Sequence, residues 1–526
     1  MKKIIQAQRP PQEDIKNLLI SYQSGKFEVA QDLALLMSKK FPEHPLGWKV
    51  LGALFGQAGK MDKALVANQN VVRLDPKDIN AHFNLGVVLK ELAKLEQAEA
   101  SYSQAITLKP DYADAHNNLG NVLKELGKLE QAEASYSQAI TLKPEFSQTH
   151  FNLGVVLKEL GKLEQAEASY SQAITLKPDY ASAHNNLGNV LKELGKLEQA
   201  EASYSQAITL KPDYAGAHNN LGNVQKELGK LEQAEASYSQ AINLRPDYAD
   251  AHNNLGSILK NLGKFKQAEV SYRKAIALMP DYADAHQNMA IILYINGDID
   301  SALESMEKAN SIDSKSKKNR LLLNILYARR DNEKKVATTK NASPSEYEVG
   351  LSSNPLILKR IVEPDLIKSL YKMNSRELDK SKDARYGNGR CSLDFDLFED
   401  DWSILKIVSD DLIRIMTKAV KSEVYVYDSF FNILGAGGGS KPHDHINNLD
   451  KDNILNLRNQ KYSLVYYLSA GDQSSSEPGT LKLYDPDEDI LPYEGMIVII
   501  PASRKHSAVY DGSKDRVMIG INFYSL

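Results

Sequence analysis

Small and apolar residues return along the first two-thirds of the chain with a period of 34. Gly120, Gly154, Gly188, Gly222 and Gly256 mark one register, and Pro110, Pro144, Pro178, Pro212, Pro246 and Pro280 mark another. Each period holds two apolar patterns at helical spacing. A stretch such as AHNNLGNVLKEL ends near a glycine, and LEQAEASYSQAITL then runs to Lys-Pro or Arg-Pro. Proline lacks an amide hydrogen and clashes with the preceding turn, so it closes the second helix. Ala132, Ala139 and their equivalents let the two helices approach, and Tyr136 fills the groove between them. Divergent copies extend the pattern: Trp48, Leu51, Gly52, Ala64 and Pro76 fit one, Gly25, Ala30 and Pro42 an earlier one, and Asn288, Gly297, Ala302 and Ala309 a last one without proline. The pattern predicts about nine helical pairs over residues 11–316 and a capping helix around Asn319 to Arg329, within 317–335. Each pair covers its neighbour's apolar face, so nine units bury a continuous core.

After Arg330 the period disappears. RRDNEKKVATTKNASPSEYEVGLSSNP is polar and aperiodic, and predicts a linker over 336–355. Residues 356–526 then read as a second domain. Apolar residues at helical spacing predict helices near Pro364 to Met373 and from Asp401 to Val420, the latter carrying Ile404, Ile407, Leu412, Ile415 and Val420. β-branched and aromatic runs predict strands at Glu423 to Leu434, Tyr462 to Ser469, Thr480 to Tyr484, Met496 to Ile500, His506 to Tyr510 and Arg516 to Tyr524. The fold class expected is multidomain: an all-α solenoid followed by a double-stranded β-helix, or jelly-roll, with supporting helices.

Composition narrows the function classes. A net charge of −4 over 526 residues disfavours nucleic acid or an anionic membrane as the main partner. The N-terminal apolar run is too short for a signal peptide, and no run reaches membrane-spanning length, so a cytoplasmic location is expected. The single cysteine, Cys391, excludes an internal disulfide and a thiolate metal cluster.

The histidines carry the candidate chemistry. Of the eleven, seven (His82, His116, His150, His184, His218, His252 and His286) occupy one register of the repeat, where Trp48 stands one unit earlier. A register that accepts Trp or His reads as a packing position. His44 precedes Pro45 in a turn, which leaves His443, His445 and His506, all in the strand-rich part. Residues i and i+2 of an extended segment point to the same side, so SKPHDH can aim two imidazoles at one cation, with His506 closing the third corner. Three protein ligands leave open positions for a cosubstrate and oxygen, as non-haem iron chemistry requires. Asp444 is the alternative carboxylate ligand; on a regular strand it points away from both histidines. Asn432, Tyr466 and Tyr467 are candidate pocket residues.

Two resemblances follow. The L-G, A, Y, A, P spacing resembles the tetratricopeptide repeat. Asn84, Asn118, Asn152, Asn186, Asn220, Asn254 and Asn288 form a ladder similar to that of the O-linked N-acetylglucosamine transferases, which implies a concave surface gripping a protein or peptide; the alternative is a ladder that bridges helices within the array. In the second domain, GGGSKPHDH, SLVYYLS, YDPDED, IIPASRKH and DRVMIGINF resemble the iron(II)- and 2-oxoglutarate-dependent oxygenases of the prolyl-hydroxylase-like group, closest to the family fused to repeat arrays in marine cyanobacteria. The likeness implies iron(II) on His443, His445 and His506, 2-oxoglutarate with its distal carboxylate on Arg516, and hydroxylation of a recruited polypeptide. The sequence departs from the usual family pattern in placing His445 where a carboxylate is commoner. A non-catalytic scaffold and a cupin-like metalloprotein are the rival readings.

Overall fold

In the regular part of the array the first helix of each period runs 13 residues and the second 14, as in Ala113–Glu125 and Leu129–Leu142. The turn between them needs a left-handed residue. Gly127 takes φ +72° there and its equivalents do the same, whereas Ala93 is forced to φ +55° in the one unit that reads LAK. The structure, a computed structural model of the chain, describes residues 9–338, 354–378, 389–392, 396–399, 402–435, 438–446, 450, 457–472, 479–510 and 512–526. Most of the expected linker lies outside the described residues.

Among the described residues nineteen helices precede the β-rich region, from Gln12–Gln23 to Lys317–Thr338. Within a period the groove tyrosine is fully buried against the glycine of the first helix. A Cβ added to Gly188 would lie 2.7 Å from Cε1 of Tyr204, and one on Gly120 equally close to Tyr136. The repeat histidines have a uniform role: Nε2 of His82, His116 and His150 lies 2.9 Å from the carbonyl oxygen of the proline six residues earlier. Trp48 Nε1 donates to Pro42 in the same way at 3.0 Å. The register therefore requires a ring N–H that satisfies the preceding turn, which is why Trp and His interchange there.

The chain divides into two compact units, Met1–Gly263 and Lys264–Leu526. A linear array has no internal reason to split at any one repeat. In the second unit the last helix is tied to the β-rich region by a Lys317–Asp396 ion pair and by Arg320 near Glu399 (3.6 Å).

Among the described residues eleven strands form the β-rich region: β1 (Leu356–Lys359), β2 (Ser375–Leu378), β3 (Gly389–Ser392), β4 (Val424–Leu434), β5 (Gly438–His443), β6 (Lys461–Ser469), β7 (Leu481–Leu483), β8 (Glu488–Ile490), β9 (Met496–Pro501), β10 (His506–Tyr510) and β11 (Arg516–Ser525). They make two antiparallel sheets, ordered β1-β9-β6-β11-β4-β3-β2 and β5-β10-β7-β8. Alternation along the larger sheet sorts its faces. Leu464, Tyr466, Leu468, Ile519 and Ile521 join a core with the helices Pro364–Lys372 and Ser403–Val420. Tyr467, Met496 and Val498 pack instead with Leu481, Leu483 and Ile490 of the smaller sheet. That second cluster draws on both sheets and so defines the inner space between them.

The six expected strands and two expected helices occur with ends shifted by a few residues, but β1, β2, β3, β5 and β8 were not foreseen. They are short, and β5 (GGSKPH) is built from weak strand formers. Pairing with β10, whose register brings His506 opposite His443, makes it a strand.

Candidate metal centre

Register places two of the three histidines, His443 and His506, on the inner side. His506 stands opposite Leu483, an inner-face residue, and opposite His443 on the other flank. Directly paired residues share a face, so His443 and His506 point inward with Leu483. Two residues beyond His443 the chain has left the strand, and His445 is fixed by its own amide, which donates to Ala502 O at 2.9 Å. The imidazoles converge: ring centroids lie 4.5–5.1 Å apart, and one nitrogen from each falls within 4.8 Å of the others. His445 Nε2 and His506 Nε2 are 3.3 Å apart.

The protonation pattern suits a cation. His506 Nδ1 lies 3.2 Å from Arg504 O, and only an N–H can satisfy a carbonyl, so Nε2 carries the lone pair towards the cluster. Arg504 is itself buried and donates to Pro486 O (2.7 Å). Burial, with His443 adding repulsion, lowers His506 to about 4; burial, then His506, His443 and Lys461, hold His445 well below the ordinary imidazole range. Because the folded values lie below the unfolded one, the linked stability is complete above pH 6.5 and is lost as pH falls towards about 4. Converging imidazoles, with His445 and His506 held below their ordinary range by burial, are what a divalent metal requires.

The other expected residues divide. Asp444 is exposed and its Oδ1 accepts from Ile446 N at 3.1 Å, so it turns away from the three histidines. Tyr466 must be corrected. It lies on the helix-packed face of β6, where its hydroxyl accepts from Arg360 Nη1 (2.9 Å) and donates to Ile361 O (3.0 Å). The period of two sends its neighbour Tyr467 inward instead. Asn432 pairs with the inner-face Met518 and is half-buried. Arg516 is fully buried at the far end of the inner face: Nε and Nη2 donate to Ala470 O (3.1 and 3.0 Å), Nη1 donates to Gly479 O, and the guanidinium lies 4.5 Å from the Tyr510 ring. Burial lowers its pKa from the ordinary value.

A buried group beside the histidines escaped the sequence reading. Lys461, at the start of β6, is ion-paired with Asp450 (2.9 Å), whose other oxygen accepts from Tyr524 OH at 2.6 Å. Polar residues at Lys461 and Ser463, on the inner period of a strand otherwise as apolar as KYSLVYYLS, were the signal available. A separate cavity of about 130 Å³, lined by Arg320, Glu399, Tyr425 and Asp428 among others, contains none of the three histidines.

In the array the ladder links neighbouring units. Asn152 Nδ2 donates to Asn121 (3.1 Å), and Asn220 to both Asn185 and Asn189 (3.2 and 3.3 Å). Asn254 repeats that pattern with Asn219 and Asn223, Asn186 approaches Tyr170 OH at 3.5 Å, and Asn118 accepts from Asn117. Asn84 is exposed and Asn288 half-buried. The bridging role is thus present, with one carbonyl oxygen per amide left for other use at Asn220 and Asn254.

Residues 111–322 match the family model described as the cilia and flagella-associated protein 70 C-terminal domain, and residues 91–127 match the TPR repeat model. The helical array is therefore a tetratricopeptide repeat array; both matches stop before the β-rich region. No curated protein matches the sequence. Among solved structures, YrrB, titled a TPR protein with an unusual peptide-binding site, is 24% identical over 35% of this chain and 95% of its own, with TM-score 0.33. PilF of Pseudomonas aeruginosa is 21% identical over 40% and 96%, TM-score 0.37, and MamA 24% over 31% and 95%, TM-score 0.30. Among the described residues no helix is long and apolar enough to cross a membrane.

Proposed function

We propose that the chain is a protein-interaction scaffold whose repeat array holds a polypeptide partner, and that its β-rich region adds an iron(II)/2-oxoglutarate-dependent oxygenase centre acting on that partner. The scaffold half has the broader support, from the repeat matches over 91–322. An array whose asparagines both tie unit to unit and offer carbonyl oxygens suits an extended peptide, whose backbone presents N–H groups at regular intervals.

One observation favours the added chemistry: three converging imidazoles from β5, the following turn and β10 lie within coordinating distance of one ion. The strand orders β1-β9-β6-β11-β4-β3-β2 and β5-β10-β7-β8 support a jelly-roll reading of the two facing sheets. The donor set fits a borderline divalent metal such as iron(II). His443, His445 and His506 would hold it, and the Arg504 carbonyl would fix the His506 tautomer. With dioxygen as the oxidant, bound iron and 2-oxoglutarate would supply the chemistry for hydroxylating a C–H bond, one oxygen atom going to succinate as carbon dioxide leaves and the other to the substrate; the chain contributes the imidazole donors and their orientation. Iron-dependent release of succinate from 2-oxoglutarate by the full chain is the expected result. Its absence from iron-loaded protein would leave the scaffold alone.

A further inference from the structure

Among the described residues the inner face carries two cationic side chains, and they differ in how much of their hydrogen-bonding capacity the fold has used. Arg516 directs at least three of its five N–H groups at the carbonyl oxygens of Ala470 and Gly479 and stacks on Tyr510. Lys461 is as deeply buried, its side chain 3% exposed, yet its ammonium meets one hydrogen-bond acceptor among the described residues, Asp450 Oδ2. Its remaining contacts are the faces of Tyr427 and Tyr524, 5.2 and 5.3 Å from Nζ. An ammonium has three donors, and leaving two without an acceptor in a buried site is costly unless a ligand uses them.

Position gives that spare capacity a direction. Lys461 and His445 are joined through Ala502, whose amide donates to Lys461 O (3.0 Å) and whose carbonyl accepts from His445 N (2.9 Å). The lysine also faces the inner space: it pairs with Tyr524 on β11, two steps from Asn522 in the inner register. Imidazole ligands add no negative charge, so a divalent ion there would keep its full charge, while Asp450 already offsets that of Lys461. An anion reaching both would neutralise the ion and use the ammonium's spare donors.

We infer that Lys461 is the anion-receiving side chain of the candidate metal centre, taking a carboxylate of an acidic ligand bound at the ion, with Asp450 and Tyr524 holding the ammonium in place. The inference rests on the metal-centre reading above and moves the carboxylate contact away from Arg516, whose guanidinium serves to tie the Ala470 and Gly479 loops to β11. The test is calorimetric titration of 2-oxoglutarate into zinc-loaded full-length protein, zinc being a redox-silent probe. Lys461→Met is combined with Asp450→Asn so that no lone charge is left buried, and zinc binding and circular dichroism report whether the fold survives. The double variant is expected to bind zinc within about 3-fold of the native chain and 2-oxoglutarate about 10- to 150-fold more weakly, the range for a charge-assisted hydrogen bond. Unchanged 2-oxoglutarate binding would overturn the assignment while leaving the centre intact. Loss of zinc itself would overturn it too, by showing that the pair supports the histidines and not a ligand. A native chain that binds zinc but no 2-oxoglutarate would defeat the oxygenase reading and this inference with it.

Discussion

Replacing His506 with alanine is expected to weaken binding of a divalent metal by at least about 100-fold, more than the roughly 10–100-fold that follows loss of an outer-sphere partner. The reason is geometric. His506 meets both of the others: it is opposite His443 across the β5–β10 ladder, and its Nε2 is 3.3 Å from that of His445. Without it only two imidazoles remain to hold the ion. Equilibrium dialysis of zinc against the native and variant chains reads the effect. Asp444→Ala is the control, since that carboxylate turns to Ile446 N and should leave affinity within about 3-fold. Equal loss in both variants would show that the segment, and not the imidazole cluster, binds the ion.

Tyr204→Ala should cost about 3–5 kcal/mol of stability, the range for removing a buried aromatic ring. The ring is 1% exposed, fills the space that Gly188 leaves vacant, and donates from its hydroxyl to Asn189 Oδ1 at 2.7 Å. Asn189 in turn accepts from Asn220, so the truncation opens a cavity and removes one arm of the bridge to the next unit. Urea unfolding followed by circular dichroism at 222 nm measures it. Exposed Thr209, whose hydroxyl only returns to Ser205 O, serves as the comparison, with an alanine substitution expected to change stability by no more than about 0.5 kcal/mol. Equal effects at the two sites would mean that the groove tyrosine does not carry the packing of its unit.

How much could be read from the sequence follows from how local each determinant is. The repeat is legible because every unit restates its own instructions: Gly127 for the left-handed turn, Pro144 for the stop, Tyr136 for the groove. Even the Trp-or-His register had a readable cause, a ring N–H within reach of the turn's carbonyl. The candidate metal-site histidines could be isolated by subtraction once the repeat had claimed seven others. Legibility fails where tertiary pairing decides. β5 has glycines and a proline where a strand would be expected to have β-branched residues, and exists because β10 lies beside it. Tyr466 and Tyr467 look alike in SLVYYLS, and only the register of β6 against β9 and β11 tells which enters the inner space. Lys461 and Asp450 are eleven residues apart with no periodic relation, so a buried pair between them is invisible before the fold is known. The asparagine ladder shows the same limit: spacing revealed it, but the second row at Asn121, Asn189 and Asn223 that accepts its amides became meaningful only in three dimensions.

X-ray absorption of the full-length chain loaded with one equivalent of zinc tests the imidazole cluster most directly. Three nitrogen scatterers at about 2.0–2.1 Å with the outer-shell pattern of imidazole rings, reduced to two in His506→Ala, is the predicted spectrum. A first shell of oxygen alone, or one that His506→Ala leaves unaltered, would contradict it.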